Sequence, residues 1–254
     1  MKETDCYYDI EVEVSQINEN GILKPHAYQV LFADIASRHL NHFHANADDT
    51  MKYGMAWALI SLQVEITRNI RGCEALRAQT WHSGTKGPYF RRELVFRDAA
   101  GDTVFQGSTF SVLLDIEKRS ILRPKYLPIS LPEPNPAVTI EAKATRHLHA
   151  DFVPYDERRV YSSYIDMLGH VNNCRYGEFA YDAFTAAEKS NLANLRRMEI
   201  YFESELRMQD TFTISKAYED SSLLIRGHNN GKDATSFDIV MDFSSCSAAS
   251  SLQK

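Results

Sequence analysis

An internal repeat constrains this chain more than any other feature, because two similar halves have to fold as two similar modules. Three segments of the first half have counterparts in the second half, in the same order. The number of residues that separates a segment from its counterpart decreases from the first pair to the third. We interpret the shrinking spacing as shorter loops in the second copy. The counterparts are Ile17, Asn18, Gly21 and Tyr28 with Ile165, Asp166, Gly169 and Tyr176; Val64, Ile66, Arg71 and Glu74 with Ile200, Phe202, Arg207 and Asp210; and Thr109 to Asp115 with Ser236 to Asp242.

Each copy is predicted to contain a strand, a helix and then a run of antiparallel strands, which is an α+β pattern. In the first copy, residues 7–15 alternate between apolar and polar side chains, as is typical of a half-buried strand. A helix begins at Pro25, a favoured first helical residue, and ends within residues 41–44. In the second copy the pattern predicts a strand over residues 159–165 and a helix over residues 173–191.

A proline-rich segment separates the two copies. Five prolines lie between residues 124 and 136, and proline cannot donate a hydrogen bond to a sheet. We therefore expect a first module at residues 1–123, a linker at residues 124–154 and a second module at residues 155–254.

Composition limits the location and the partners of the chain. Of its 254 residues, 44% are hydrophobic and 24% are charged, which suffices for a sizeable core. It shows neither a membrane-length apolar run nor a signal peptide, so a cytoplasmic protein without membrane contact is expected. The net charge of -6 argues against nucleic acid as a partner. Cysteines without metal-ligand spacing, which argue against zinc and against disulfides, are Cys6, Cys73, Cys174 and Cys246.

The second copy carries a polar loop, residues 166–173, directly before its predicted helix. The loop contains a carboxylate, an imidazole and two carboxamides, from Asp166, His170, Asn172 and Asn173. If these side chains only capped the helix, the first copy would need similar ones, since every helix start leaves backbone N–H groups unpaired. The corresponding positions of the first copy hold Asn18, Ile22, Lys24 and Pro25. The difference favours catalysis in the second copy, and a helix cap beside a surface histidine is the alternative.

The loop and the tyrosine that follows it, Tyr176, resemble the signature of the hot-dog thioesterases. Two such modules in one chain resemble the acyl-acyl-carrier-protein thioesterases over nearly the whole chain. The resemblance implies a tandem (double) hot-dog fold, in which each module is a long helix wrapped by an antiparallel β-sheet. It also implies hydrolysis of fatty acyl-acyl-carrier-protein to free fatty acid, with no metal or organic cofactor. Further residues that carry the likeness are Thr80, Trp81, Phe90, Arg91, Arg92, Gly101, Ser111 to Asp115, Lys118, Arg119, Arg123, Pro124, Ile200, Phe202, Glu205 and Asp210.

By position, the resemblance implies that Asp166 and His170 belong to the catalytic network and that Glu205 activates water. Plant members often carry an asparagine where this chain has Leu168, and some carry a cysteine where it has Leu206. A mechanism that needs either of those side chains cannot operate here unchanged.

Thioester hydrolysis needs an activated water, a donor for the oxyanion and a dry slot for the acyl chain. The carboxylate of Glu205 or Asp166 can take the proton, and His170 can donate to the carbonyl or orient the water. Backbone N–H groups of residues 171–174 are candidate oxyanion donors, and the two asparagines among them are expected to position the substrate. Strict alternation from Phe202 places Glu205 on the opposite face of its strand unless the strand bulges.

The first module lacks the ionisable pair and is expected to supply the acyl pocket. The candidate pocket residues are Trp57, Leu59, Ile60 and Trp81. Large apolar residues at such spacings are also common in an ordinary core, which is the alternative.

The expected partner is an acyl carrier protein whose acyl chain is linked through 4'-phosphopantetheine. A basic face around Arg158, Arg159, Arg196 and Arg197 suits such an acidic protein. An acyl-CoA thioesterase with the same chemistry is a close alternative, and a non-hydrolytic acyl-binding or dehydratase-like hot-dog protein is a third. Because the fold often dimerises through its sheets, the chain is expected either to form a homodimer or to pair its two modules internally.

Overall fold

The structure is a computed structural model that describes residues 6–123, 127–129, 131 and 133–244. The first module contains α1 (Pro25–His42), α2 (Ala47–Met51), β1 (Tyr7–Glu11), β2 (Met55–Ile66), β3 (Ala75–Lys86), β4 (Tyr89–Arg97), β5 (Thr103–Asp115) and β6 (Ser120–Ile121). The second module contains α3 (Cys174–Asp182), α4 (Ala186–Asn191), β7 (Val153–Arg159), β8 (Leu195–Phe202), β9 (Thr211–Glu219), β10 (Ser222–Asn229) and β11 (Ala234–Phe243). Among the described residues, no helix has both the length and the apolar character that crossing a membrane requires.

One antiparallel sheet runs through both modules and reveals the internal repeat directly. Its strand order is β1-β3-β4-β5-β2-β8-β11-β10-β9-β7, with β6 paired to β5. From the centre outwards, β2, β5, β4, β3 and β1 mirror β8, β11, β10, β9 and β7. Strands β2 and β8 pair with Gln63 opposite Glu199, so backbone hydrogen bonds join the modules edge to edge. The α+β prediction is confirmed.

Helices α1 and α3 pack against each other across the module boundary. Gln29 of α1 donates from Nε2 to the carbonyl of Asn173 at 3.0 Å. Gly177 of α3 lies where α1 passes, and a Cβ there would collide with the Gln29 side chain and approach the backbone of His26 to 3.1 Å. A larger residue would force the Gln29 side chain to move and would crowd the backbone of α1, so a glycine suits this close approach of the two helices.

Two aromatic pairs in the core correct the third segment of the repeat. Tyr28 of α1 packs edge-on against Phe105 of β5, and Tyr176 of α3 packs edge-on against Phe237 of β11, each with ring centroids 5.0 Å apart. Phe105 is therefore the counterpart of Phe237. The alignment of Phe110 with Phe237 is wrong, because its register differs by an odd number of residues and turns every side chain to the other face.

The helix predicted over residues 173–191 is broken into α3 and α4. Thr185 caps the second piece: its Oγ1 accepts the N–H of Glu188 at 3.2 Å, and the Glu188 carboxylate accepts the N–H of Thr185. This capping box starts a new helix after α3 ends at Asp182. Apolar spacing alone does not reveal such a restart.

The first strand of each module also differs from its prediction. Strand β1 ends at Glu11, and the strand expected over residues 159–165 lies earlier, at Val153–Arg159. Residues Val14–Gln16 and Ser162–Tyr164 form short 3-10 turns instead. The alternation of apolar and polar side chains continues beyond the point where the chain stops pairing with an adjacent strand. A segment forms a β-strand only where such pairing exists, so the alternation alone misplaces the strand ends.

The linker crosses the face of the sheet opposite the helices. The Lys143 carbonyl accepts from Ser61 Oγ of β2 at 2.9 Å, and the Leu148 carbonyl accepts from Arg226 of β10 at 3.1 Å. The linker therefore contacts both modules from outside. Residues named in the sequence analysis that lie outside the described part are Pro124, Pro132 and Cys246.

Candidate active site

The loop before α3 has the same backbone turn as its counterpart before α1. The Asp166 N–H donates to the carbonyl of His170 at 2.9 Å, and the Asn18 N–H donates at 2.9 Å to the carbonyl four residues later. Gly169 and Gly21 close the turns with φ angles of 78° and 73°, which glycine adopts without strain. The shape of the loop therefore does not require the ionisable pair.

The first side chain of the loop supports this turn in both modules. Asn18 Oδ1 accepts the N–H groups of Asn20 and Ile22, both at 2.9 Å, and Asp166 Oδ1 accepts the N–H of Leu168 at 2.9 Å. Leu168 thus contributes its backbone to the site. An asparagine suffices for the structural task, so what Asp166 adds is a second, charged oxygen.

That second oxygen faces the imidazole of His170. Asp166 Oδ2 lies 3.6 Å from His170 Nδ1, and the carbonyl oxygen of Val171 lies 3.3 Å from the same nitrogen. A carbonyl oxygen only accepts, so Nδ1 carries the proton and Nε2 is the basic nitrogen. The pair has the arrangement of a general base whose tautomer is set by its neighbours.

Most backbone N–H groups at the start of α3 are already engaged. Val171 donates to a carbonyl beyond β8 at 2.9 Å, and Asn172 donates to a carbonyl of the preceding loop at 2.8 Å. Cys174 donates to the side-chain oxygen of Asn172 at 2.9 Å. Within the described ranges, the N–H of Asn173 has no acceptor. Of the backbone N–H groups of residues 171–174, that of Asn173 therefore remains as the candidate oxyanion donor.

Glu205 lies past the end of β8 rather than within a strand. The N–H groups of Glu203 and Ser204 both donate to the carbonyl of Ser236, at 2.9 and 3.2 Å, so the chain turns there. The alternation argument, which placed Glu205 on the opposite face, therefore no longer applies.

The carboxylate of Glu205 is held by two guanidinium groups. Its Oε2 lies 3.2 Å from Arg119, in the turn between β5 and β6 of the first module, and 2.8 Å from Arg207. In the part of the chain that the structure describes, Glu205 makes no hydrogen bond or ion pair with Asp166 or His170. The structure brings Asp166 and His170 together, whereas the ion pair of Glu205 with Arg119 links the second module to the first.

Tyr176 is a site residue to which sequence reasoning assigned no role. Burial, with smaller contributions from the charges of Glu205 and Asp166, raises its pKa to about 12. Its hydroxyl accepts the N–H of Leu206 at 3.5 Å. The hydroxyl therefore stays protonated at neutral pH. The signal in the sequence was the fixed position of this tyrosine after the loop.

A cavity of about 220 Å³ lies against the start of α3. Asn172, Asn173 and Cys174 of the second module line one side. The other sides come from α1 and from the inner faces of β2 to β5. Trp57 and Leu59, two of the predicted pocket residues, line this cavity. The first module thus places a slot beside the polar loop of the second.

Ile60 and Trp81, the other two predicted pocket residues, do not line this cavity. Strand β2 bulges between Leu59 and Ser61, and Ile60 is the extra residue. Trp81 lies on the outer face of the sheet, where its Nε1 donates to the carbonyl of Ala137 in the linker at 2.9 Å. Sequence periodicity could not reveal the bulge, nor which face of β3 turns inwards.

Cys174 borders the cavity but is poorly suited to nucleophilic attack. Burial raises the pKa of its thiol to about 11, and the negative charge of Glu178 adds to this rise. The thiolate, which is the nucleophilic form, is therefore scarce at neutral pH.

Acidic neighbours neutralise much of the basic face that was expected to receive the carrier protein. Arg158 pairs with Asp156 at 2.7 Å and with Asp182 at 2.9 Å, and Arg197 pairs with Glu199 at 2.8 Å. These two arginines therefore contribute little net positive charge for a partner.

Comparison with models of known protein families identifies the family of the chain. Residues 2–125 match the family model for the acyl-ACP thioesterase N-terminal domain, and residues 153–250 match the model for the C-terminal domain. The chain belongs to the acyl-ACP thioesterase family. The enzyme is a thioester hydrolase that acts on fatty acyl-acyl carrier protein and releases the free fatty acid. No sequence among curated proteins matches it.

Solved structures of the family share the fold of the enzyme. It is similar to an acyl-ACP thioesterase from Bacteroides thetaiotaomicron VPI-5482, with a TM-score of 0.82 and 18% identity, over 96% of this chain and 100% of that chain. It is also similar to the 12:0-ACP thioesterase from Umbellularia californica, with a TM-score of 0.75 and 12% identity, over 93% and 96% of the two chains. The predicted tandem hot-dog fold is confirmed.

Proposed function

We propose that the Asp166–His170 pair activates the water that attacks the thioester. His170 Nε2 takes a proton from water, and Asp166 Oδ2 stabilises the imidazolium that forms. The hydroxide adds to the thioester carbonyl, the tetrahedral intermediate collapses, and the imidazolium returns its proton to the departing thiolate. The observation that carries this proposal is the position of His170 Nδ1 between the Val171 carbonyl and the Asp166 carboxylate.

The oxyanion of the intermediate is bound at the start of α3. Asn173 offers its backbone N–H, which no acceptor occupies within the described ranges, and its side chain lines the same cavity. Asn172 Oδ1 accepts the Cys174 N–H, so its amide group remains to donate. Donors that are already oriented at a helix N-terminus stabilise negative charge as it develops.

Water activation by Glu205, which the family resemblance implies, stays a prediction. Its carboxylate is engaged by Arg119 and Arg207 at the edge of the site. This arrangement favours a different task, in which Glu205 holds Arg119, and with it the first module, against the catalytic loop.

The internal repeat supplies the substitution that tests the mechanism. Asp166→Asn retains the Oδ1 acceptor that supports the turn, as Asn18 does in the first module, but removes the charged oxygen. We expect kcat on acyl-acyl carrier protein to fall at least ~100-fold, the usual scale for a positioned acid-base group. His170→Gln should show a similar loss. Asp182→Asn makes the same chemical change at the other end of α3 and should retain kcat.

Two measurements separate this outcome from its alternatives. An unchanged melting temperature shows that Asp166→Asn is folded, and full turnover in that folded variant would contradict the mechanism. The ratio of kcat/KM for carrier-protein and CoA thioesters of one acyl chain tests the leaving group. A clear preference for CoA would favour the acyl-CoA alternative.

The setting of the reaction is also a proposal. The family resemblance supports a role at the end of fatty acid biosynthesis in the cytoplasm, and the fold supports a homodimer. Sedimentation velocity distinguishes a dimer from a single chain of 29.0 kDa.

A further inference from the structure

One row of inward-facing side chains changes from apolar to polar across the first module. Leu62 of β2 lies opposite Thr109 of β5, Thr109 lies opposite Arg92 of β4, and Arg92 lies opposite His82 of β3. All four side chains line the cavity, as does Ser111, the next inward residue of β5. A pocket that binds only an unsubstituted hydrocarbon chain gains nothing from polar side chains on its wall.

The hydroxyl groups of Thr109 and Ser111 have no hydrogen-bond partner among the described residues. Thr109 is only 7% exposed as a whole residue, and both side chains line the cavity, so their hydroxyl groups are open to what the cavity holds. Two hydroxyls on neighbouring strands are paired instead: Thr80 donates to the carbonyl of Glu93 at 2.7 Å, and Ser61 donates to the linker. Hydroxyl groups that line a cavity without a protein partner can bind a polar group of a ligand, and a few such groups commonly fix a ligand's orientation.

An unsubstituted acyl chain would displace water from both hydroxyls and could not form hydrogen bonds to them. Each hydroxyl left unpaired in this way weakens binding by roughly 5- to 150-fold. A chain that carries its own oxygen at the same depth would restore the hydrogen bonds. Sites built to bind a substrate hydroxyl discriminate strongly against analogues that lack it.

We propose that the cavity selects acyl chains that carry a hydroxyl or oxo group near the thioester, and that Thr109 and Ser111 bind this group. The inference rests on the proposed catalytic site at the start of α3. The same cavity borders Asn173 at the start of α3, where the proposed mechanism binds the thioester oxyanion. The oxygen therefore belongs on a carbon near the thioester.

The test compares octanoyl-acyl carrier protein with its 3-hydroxy and 5-hydroxy derivatives as substrates. We expect the wild-type enzyme to show a kcat/KM about tenfold higher for at least one hydroxylated chain, the scale of one or two hydrogen bonds. Thr109→Val combined with Ser111→Ala should abolish this preference, lowering kcat/KM on the hydroxylated chain and raising it on octanoyl. Thr103→Val, the same change on β5 outside the cavity, should retain the wild-type ratio.

The outcomes separate the inference from the function beneath it. Equal kcat/KM on all three thioesters overturns the inference and leaves the hydrolase intact. A hydroxyl preference that survives in the double variant also overturns it, because other groups would then bind the oxygen. Absence of hydrolysis of every carrier-protein thioester rejects the proposed function and the inference together. Retained octanoyl hydrolysis shows that the double variant is folded.

Discussion

Acid is expected to destabilise the enzyme through His39, a fully buried residue of α1 beside the polar end of the cavity. Its Nδ1 lies 2.9 Å from Arg92 Nη1, and because a guanidinium only donates, this nitrogen accepts. Burial, together with the positive charges of Arg92, His42 and His82, lowers the pKa of His39 to about 3. Protonation of His39 therefore favours the unfolded chain.

The size of the effect follows from the difference between the two pKa values. In the unfolded chain the pKa of this histidine returns to 6.5, above its value in the fold. The stability contributed by neutral His39 is therefore complete above pH 6.5 and is lost as the pH falls towards 3. With ~1.4 kcal/mol for each pH unit below 6.5, the loss reaches about 2 kcal/mol at pH 5.

His39→Asn isolates this contribution, because the asparagine Oδ1 can still accept from Arg92 but does not titrate. The assay is urea-induced unfolding followed by circular dichroism at about pH 7.5 and about pH 5. We expect the free energy of unfolding to fall by about 2 kcal/mol more in the wild type than in the variant. His147→Asn makes the same change at an exposed histidine and should behave as the wild type. Equal acid losses in the wild type and in His39→Asn would refute the reasoning.

Four further substitutions test other parts of the structure. Cys174→Ser should keep kcat on acyl-acyl carrier protein within about twofold, since the thiol is protonated and takes no part in the proposed chemistry. Arg119→Gln should lower kcat by a small factor, about threefold, because it breaks one partly exposed ion pair. Glu205→Gln also breaks the partly exposed pair with Arg207, so its loss should be only slightly larger. A much larger loss in Glu205→Gln alone would instead establish Glu205 as the base. Thr185→Ala should lower the free energy of unfolding by about 1 kcal/mol, read from the melting temperature, because it removes a helix cap.

Sequence patterns succeeded where the signal lies in neighbouring residues. The helix that starts at Pro25 ends at His42, inside the predicted range, because the proline and the apolar spacing are both local. The break between α3 and α4 was not predicted, although a Thr-x-x-Glu capping box at Thr185 and Glu188 marks it in the sequence. The prediction followed the apolar spacing and placed one continuous helix there. In the structure the capping box starts a second helix.

The predictions failed where a distant residue or a strand register decides the position of a side chain. Trp81 was expected in the acyl pocket, but the alternation of β3 turns it towards the linker. Ile60 left the cavity wall because β2 bulges there. The contact of Glu205 with Arg119 joins residues far apart in the chain, and no local pattern encodes it.

By itself, the sequence determined that the chain is a tandem of two related modules, and it predicted that the catalytic loop lies in the second. Both follow from short-range information: the repeat, and a turn whose hydrogen bonds join Asp166 to residues within four positions. Only the tertiary structure decided that His170 meets the second oxygen of Asp166, that the N–H of Asn173 has no acceptor among the described residues, and that the hydroxyls of Thr109 and Ser111 border the same cavity. These features depend on strand register and on helix contacts between modules, which no single stretch of sequence contains.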